Sequence, residues 1–268
     1  MPEDANSELD RSAPEPLLLQ PLVGVPEVGP GDDLAAIVLA AVHVTACALR
    51  DRDVLVIAQK IVSKAEGRAV FLDAVTPSVR AVTLAAEVDK DPRLVELILG
   101  ESTRVVRQRP GVLIVEHRSG VVLANAGIDA SNVAPEGARE RVLLLPEDAD
   151  RSCANLRRAL AQRAGVDVGV IVNDSVGRAW RLGTAGIALG ASGFVALVDL
   201  RGQPDRHGHP LQVSEVAAAD ELAAAASLMM GQGDQGTPIV LARGVPYGVG
   251  AEGAARDLLR PAELDLFR

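Results

Sequence analysis

Three short polar clusters interrupt a chain otherwise built from small aliphatic residues, and each follows an apolar run of the kind that forms a buried strand. The first is QKIVSKAEGR, residues 59–68, with Lys60, Lys64 and Arg68 four apart. The second lies within VVLANAGIDASNV, residues 121–133, and gathers Asn125, Asp129, Ser131 and Asn132. The third is NDSVGRAWR, residues 173–181, where Asp174 and Ser175 end an apolar run and Arg178, Trp180 and Arg181 follow. Cationic side chains hold polyphosphate where no glycine-rich cradle exists. Hard cations such as Mg²⁺ take oxygen ligands, commonly one or two carboxylates completed by phosphates and water. Two strand-terminal aspartates from distant positions meet that need. Singly, each aspartate also fits a cap or turn, and the basic run a solvated turn. Their joint occurrence points to a metal-assisted phosphate or nucleotide site in an enzyme.

Other chemistries find less support. GVGAEG, residues 248–253, fits a dinucleotide glycine pattern, but only fifteen residues follow it, too few for the strand–helix unit of about 30 residues that gives the pattern meaning. It reads as a loop leading into a C-terminal helix. No phosphate-binding loop of the G-x-x-x-x-G-K-[ST] type occurs, nor any Ser/His/Asp or Cys/His constellation. The two cysteines, Cys47 and Cys153, give neither a disulfide framework nor zinc spacing. A formal charge of −9 supplies no positive field to recruit nucleic acid. No run approaches the ~20 apolar residues of a membrane span and no signal pattern opens the chain, so a cytoplasmic location is expected.

The elements that position these clusters follow from the pattern. Hydrophobic residues make up 48% of the 268 but aromatics only 2%, so Val, Leu, Ile and Ala must pack the core. Residues 1–16 carry five acidic residues, one Arg and three prolines and read as a disordered acidic tail; 17–268 reads as one catalytic domain of one or two subdomains. Asp32-Asp33 caps a helix from Leu34 to about Leu49. Strands are expected over 53–59, 104–109, 112–117, 121–124, 167–174, 194–200 and 237–244, with HRSG as a hairpin turn. KIVSKAEGR reads as a polar, basic turn, and GTAGIALGASG is a Gly/Ala-rich stretch preceding the 194–200 strand. Helices are expected on either side of Pro92, over 146–165 ending at Gly165, and from a Ser214 cap to Gly231. Strands and helices mix without strict alternation, which favours an α+β fold.

The clusters and their surroundings, PLVGVPEVGPGDDL, QKIVSKAEGR, ANAGIDASNV, PEDADRS, VIVNDSVGRAWRLG and ADELAAAASLMMGQGDQGTPIVLARG in that order, resemble the coenzyme F420-0:L-glutamate ligase family, also called F420-0:gamma-glutamyl ligases. The resemblance implies a two-domain mixed-sheet α+β fold without a P-loop, in an intertwined homodimer. It implies a GTP-dependent, GDP-forming ligase that adds L-glutamate to coenzyme F420-0, with further glutamates gamma-linked, and that needs Mg²⁺ or Mn²⁺ and K⁺. Carried over by motif, Asp129 and Asp174 would hold one divalent metal, and Ser175 with Gln232 a second. Val25, Pro26, Glu27, Val28, Gln59, Lys60, Lys64 and Asn132 would line the GTP site, joined by Met230, Gly231, Gln232, Gly233 and the segment on to Thr237. Lys64 and Arg178 would neutralise transferring charge. A metal-dependent GTP hydrolase or a non-catalytic nucleotide-binding homologue is the alternative.

Two departures stand out. Ser175-Val176-Gly177-Arg178-Ala179-Trp180 replaces the family's frequent Thr-Phe-Gly-Arg-Pro-Trp and keeps the hydroxyl. GTAG at 183–186 stands where many members have Gly-Gln-Thr-Asp, removing an amide and a carboxylate. The fused flavin-binding reductase domain of mycobacterial relatives has no counterpart before Arg268, so a stand-alone ligase is expected.

Overall fold

The computed structural model describes residues 16–129, 139–246, 248, 249 and 252–266. The expected tail, but for Pro16, lies outside these residues, as do Ser131 and Asn132. The chain opens with β1 (Leu18–Pro21), α1 (Leu34–Val44), β2 (Val54–Ala58), α2 (Gln59–Ala65) and β3 (Ala69–Phe71). A helix pair, α3 (Val79–Val88) and α4 (Pro92–Gly100), then precedes β4 (Ser102–Arg109), β5 (Val112–His117) and β6 (Val122–Ala124). There follow β7 (Arg141–Leu143), α5 (Ala149–Ala164), β8 (Gly169–Arg178) and β9 (Arg181–Ser192). The chain closes with β10 (Val198–Asp199), β11 (Glu215–Val216), α6 (Ala218–Met230) and β12 (Ile239–Arg243).

Five strands form the central sheet in the order β1-β12-β2-β8-β9. Only the β2–β8 pair is parallel; the others are antiparallel, so the sheet is mixed and the fold is α+β. Period-two alternation splits each central strand between two cores. Leu55, Ile57, Val170, Val172, Ile239 and Leu241 face α1, α2 and α5. Val54, Val56, Ile171, Val240 and Ala242 face α6. A third apolar cluster, with Ala81, Leu84, Val88, Val95, Ile98, Leu113 and Val115, belongs to α3, α4 and the β4–β5–β6 sheet.

Local chemistry sets most boundaries. Asp33 caps α1 by accepting from the backbone N–H groups of Ala35 at 3.1 Å and Ala36 at 3.2 Å. The helix stops at Val44, short of Leu49, because Ala46 takes a left-handed conformation at φ 54°. Pro92 occupies the first turn of α4 behind an Asp91 cap, and Gly165 ends α5 at φ 69°.

Several expectations need correction. KIVSKA of the expected turn KIVSKAEGR lies in the helix α2, and only Glu66 and Gly67 form a turn: Ile61 and Val62 are buried, and the buried Ser63 hydroxyl donates to Gln59 Oε1 one turn back at 2.9 Å. The strand expected to end at Asp174 runs on to Arg178, and GTAGIALGAS is its partner β9. Glycine and alanine are poor strand formers in general, but here helices press on the strand. A Cβ at Gly186 would meet Ala223 O at 2.5 Å, and one at Gly190 would overlap the backbone of Ala149. Between 194 and 200 only Val198–Asp199 is strand, paired with β11. That pairing takes up Glu215 and Val216, so α6 begins at Ala218 with no side-chain cap from Ser214. The expected C-terminal helix reduces to 3₁₀ turns at Ala255–Leu258 and Ala262–Leu264. No helix among the described residues is long and apolar enough to cross a membrane.

Candidate active site

The C-terminal end of β2 passes directly into α2, which sets Lys60 and Lys64 one turn apart on the same helix face. Lys64 Nζ lies 2.5 Å from Glu27 Oε1, on the loop after β1. Lys60 Nζ lies 2.6 Å from Asp129 Oδ2. Arg68 leaves this group: its guanidinium sits 2.7 Å from Glu101 Oε2 and donates to Leu145 O, tying the end of α2 to α4.

Asp129 is delivered by a strained turn. Asn125, Ala126 and Gly127 all have positive φ, at 53°, 55° and 69°. Three successive left-handed residues are costly, and a Cβ at Gly127 would come within 2.7 Å of the Leu145 side chain. Just beyond, Asp129 exchanges two backbone hydrogen bonds with Leu143, at 3.1 and 2.8 Å, which fixes it beside β7. Asn125 stays behind in the turn and does not line the cavity described below.

Asp174 arrives from β8, immediately after a register shift between Val172 and Asn173. A bulge of this kind re-aims the side chains that follow it. Burial pushes the Asp174 carboxyl up to about 6; the Asp129 charge adds to the rise, while the Ser175 N–H and Lys60 oppose it. Ser175 Oγ accepts from Gln232 Nε2 at 2.8 Å, which draws the loop after α6 toward β8. Buried Asn173 donates to Ser227 Oγ at 3.1 Å and holds α6 to the same strand.

These elements enclose one cavity of about 920 Å³. Its walls include Val25, Pro26, Glu27, Val28, Gln59, Lys60, Lys64, Asp129, Asp174, Ser175, Met230, Gly231, Gln232 and Gly233, together with Thr237. Every expected metal or nucleotide residue within the described chain therefore meets in one place; Asn132 lies outside the described residues. Arg178 does not join them. It stands at the exposed end of the β8–β9 hairpin, 3.5 Å from Leu182 O, beside a Trp180 that is 83% exposed. Two other clefts, of about 600 and 730 Å³, open around Asp150 and hold none of the expected site residues.

Two cavity residues carried no usable signal in the sequence. Arg141 is a single cation ahead of the apolar run VLLL, and Ser227 lies within an alanine-rich helix; neither stands in a polar cluster. The donors present, two carboxylates, a hydroxyl and a carboxamide, are all capable of oxygen ligation and suit a hard divalent cation. No group of three or more His, Cys, Asp or Glu side chains with metal-holding geometry occurs among the described residues, so substrate oxygens or water would have to complete such a site.

Residues 23–244 match the sequence profile of F420-0:Gamma-glutamyl ligase. The chain belongs to this family. The match contains every residue that lines the cavity. Relatives include the coenzyme F420:L-glutamate ligase of Methanopyrus kandleri, 47% identical over 94% of this chain and 98% of the relative. The protein of that name from Methanothermobacter thermautotrophicus is 45% identical over 91% and 96%. Its namesake from Archaeoglobus fulgidus is 41% identical over 92% and 95%. The family setting also gives the GTAG departure a physical reading: Gly186 pairs with Ser175 across the hairpin, and the missing side chain leaves room for α6. A Cβ there would lie 2.6 Å from both Asn173 Oδ1 and Ser227 Oγ.

Proposed function

We propose that this protein is a GTP-dependent, GDP-forming ligase that joins L-glutamate to coenzyme F420-0 through an amide bond and adds further glutamates by gamma linkage. The observation that carries the reading is the meeting of Lys60, Lys64, Asp129, Asp174, Ser175 and Gln232 in one cavity, in a chain whose relatives bear the name coenzyme F420:L-glutamate ligase.

The chemistry asks for positioning and charge neutralisation rather than a protein nucleophile. The acceptor's carboxylate attacks the γ-phosphorus of GTP, forming an acyl phosphate and releasing GDP. The glutamate amine then attacks the acyl carbon, phosphate leaves, and the nitrogen gives up its proton. Lys64, with a side chain only 16% exposed and directed to the loop holding Glu27, supports negative charge on the transferring phosphoryl group. Lys60 neutralises the same wall and orients Asp129. Gln59 and residues Val25 to Val28 shape the nucleotide pocket, and the 230–237 segment folds over it. Asp129, Asp174, Ser175 and Gln232 would hold Mg²⁺ or Mn²⁺, which when bound offsets phosphate charge. Arg178, on the exposed hairpin, would reach transferring charge only by movement of that hairpin or from a second copy of the chain; a homodimer is part of the proposal, as is activation by K⁺.

Transfer of ¹⁸O tests the route. With both oxygens of the acceptor carboxylate labelled, an acyl phosphate delivers one label into inorganic phosphate. Unlabelled phosphate formed at the rate of GDP would mean that water attacks GTP, and the protein would be a hydrolase.

A further inference from the structure

Arg141 enters the cavity from a different wall than the two lysines. Lys60 and Lys64 belong to α2, whereas Arg141 belongs to β7, whose residue Leu143 is bridged to Asp129. Directly opposed residues of an antiparallel bridge share a face, and residues two apart on a strand share it too. Asp129, Leu143 and Arg141 therefore project from one side of this ribbon. Arg141 is half-buried, and it is the one arginine among the described residues that line the cavity.

An acidic amino acid approaching the Asp129 and Asp174 carboxylates brings two more negative charges into a site that already holds polyphosphate. A fixed cation on the Asp129 face is needed to make that approach favourable. A guanidinium offers a planar fork that matches a carboxylate through two parallel hydrogen bonds, which an ammonium cannot reproduce.

We infer that Arg141 binds a carboxylate of the incoming L-glutamate and so determines the enzyme's selectivity for an acidic amino acid. The inference rests on the ligase reading above and assigns the amino-acid subsite within the same cavity.

Steady-state kinetics on the full-length protein with GTP, coenzyme F420-0 and L-glutamate decide it. Arg141→Gln should raise the KM for L-glutamate by at least about tenfold while the KM for GTP stays within about twofold. Arg141→Lys, which keeps the charge and loses the fork, should fall between. L-glutamine and the α-amide of L-glutamate show which carboxylate is read: Arg141→Gln should lose the parent's discrimination against one of the two amides. Unchanged KM for glutamate in both variants, or a parallel rise in the KM for GTP, would overturn the assignment. A parent enzyme that forms no glutamyl product would instead overturn the ligase reading on which it rests.

Discussion

Asp174 concentrates the conflict between stability and function in this site. Its carboxyl, pushed up to about 6 by burial from an ordinary value of 3.8, binds a proton more tightly in the folded chain than in the unfolded one. Stability contributed by the protonated form is thus fully present below about pH 4 and is lost as pH rises to about 6, by up to about 3 kcal/mol. In the presence of a chelator, Asp174→Asn should be more stable than the parent at pH 7, by on the order of 2 kcal/mol, and nearly equal to it at pH 4. The same variant should lose divalent-dependent turnover by a factor of about 100 or more. Urea denaturation at the two pH values reads the first effect and GDP release the second; a less stable variant at pH 7, or undiminished turnover, would contradict the assignment. Lys64→Ala should weaken a non-hydrolysable GTP analogue by about tenfold or more in calorimetric titration, and unaltered affinity would remove Lys64 from the phosphate site. Asp129, Asp174, Lys60 and Lys64 were legible in the sequence because polar residues at the ends of apolar runs are conspicuous. Arg141 was not, since a lone arginine in a short strand becomes informative only when bridging places it beside Asp129.

Among the elements, the β8–β9 hairpin shows where sequence pattern and packing part company. Propensity disfavours strand for GTAGIALGAS, yet the small residues are what allow α5 and α6 to lie against β9. Gly186→Ala should cost about 1–3 kcal/mol, because its Cβ would lie 2.5 Å from the backbone oxygen of Ala223, which cannot rotate aside. Urea midpoints of variant and parent measure this; equal midpoints would mean that α6 is not held at this distance. The helix α2 was hidden for a different reason. Its seven residues, only about two turns, are fewer than the window of roughly 11 over which a hydrophobic period can be read, and its helical signature was the four-residue spacing of Lys60 and Lys64 that also reads as basic patterning. The Asp33 start of α1 and the Gly165 end of α5 were more legible because these signals are local.

For the molecule as a whole, the cavity depends on keeping β2, β8 and β12 in one sheet, since these strands launch α2, carry Asp174 and receive the 230–237 loop. Asp53, 1% exposed at the start of β2, pairs with Arg243 at the end of β12 through contacts of 2.6 and 2.7 Å. Asp53→Ala would leave the Arg243 charge without that partner and should cost about 3–5 kcal/mol; a thermal midpoint equal to the parent's would show the pair to be dispensable. The mixed α+β class followed from the element order, but the strand order did not, because the β12 insertion beside β2 joins residues nearly two hundred positions apart. The central claim is ligation, and the mass of the deazaflavin product tests it most directly. Purified protein with GTP, Mn²⁺, K⁺, L-glutamate and coenzyme F420-0 should yield acceptor heavier by whole glutamyl units, with one GDP released for each unit added. GDP release with an acceptor of unchanged mass would contradict the account.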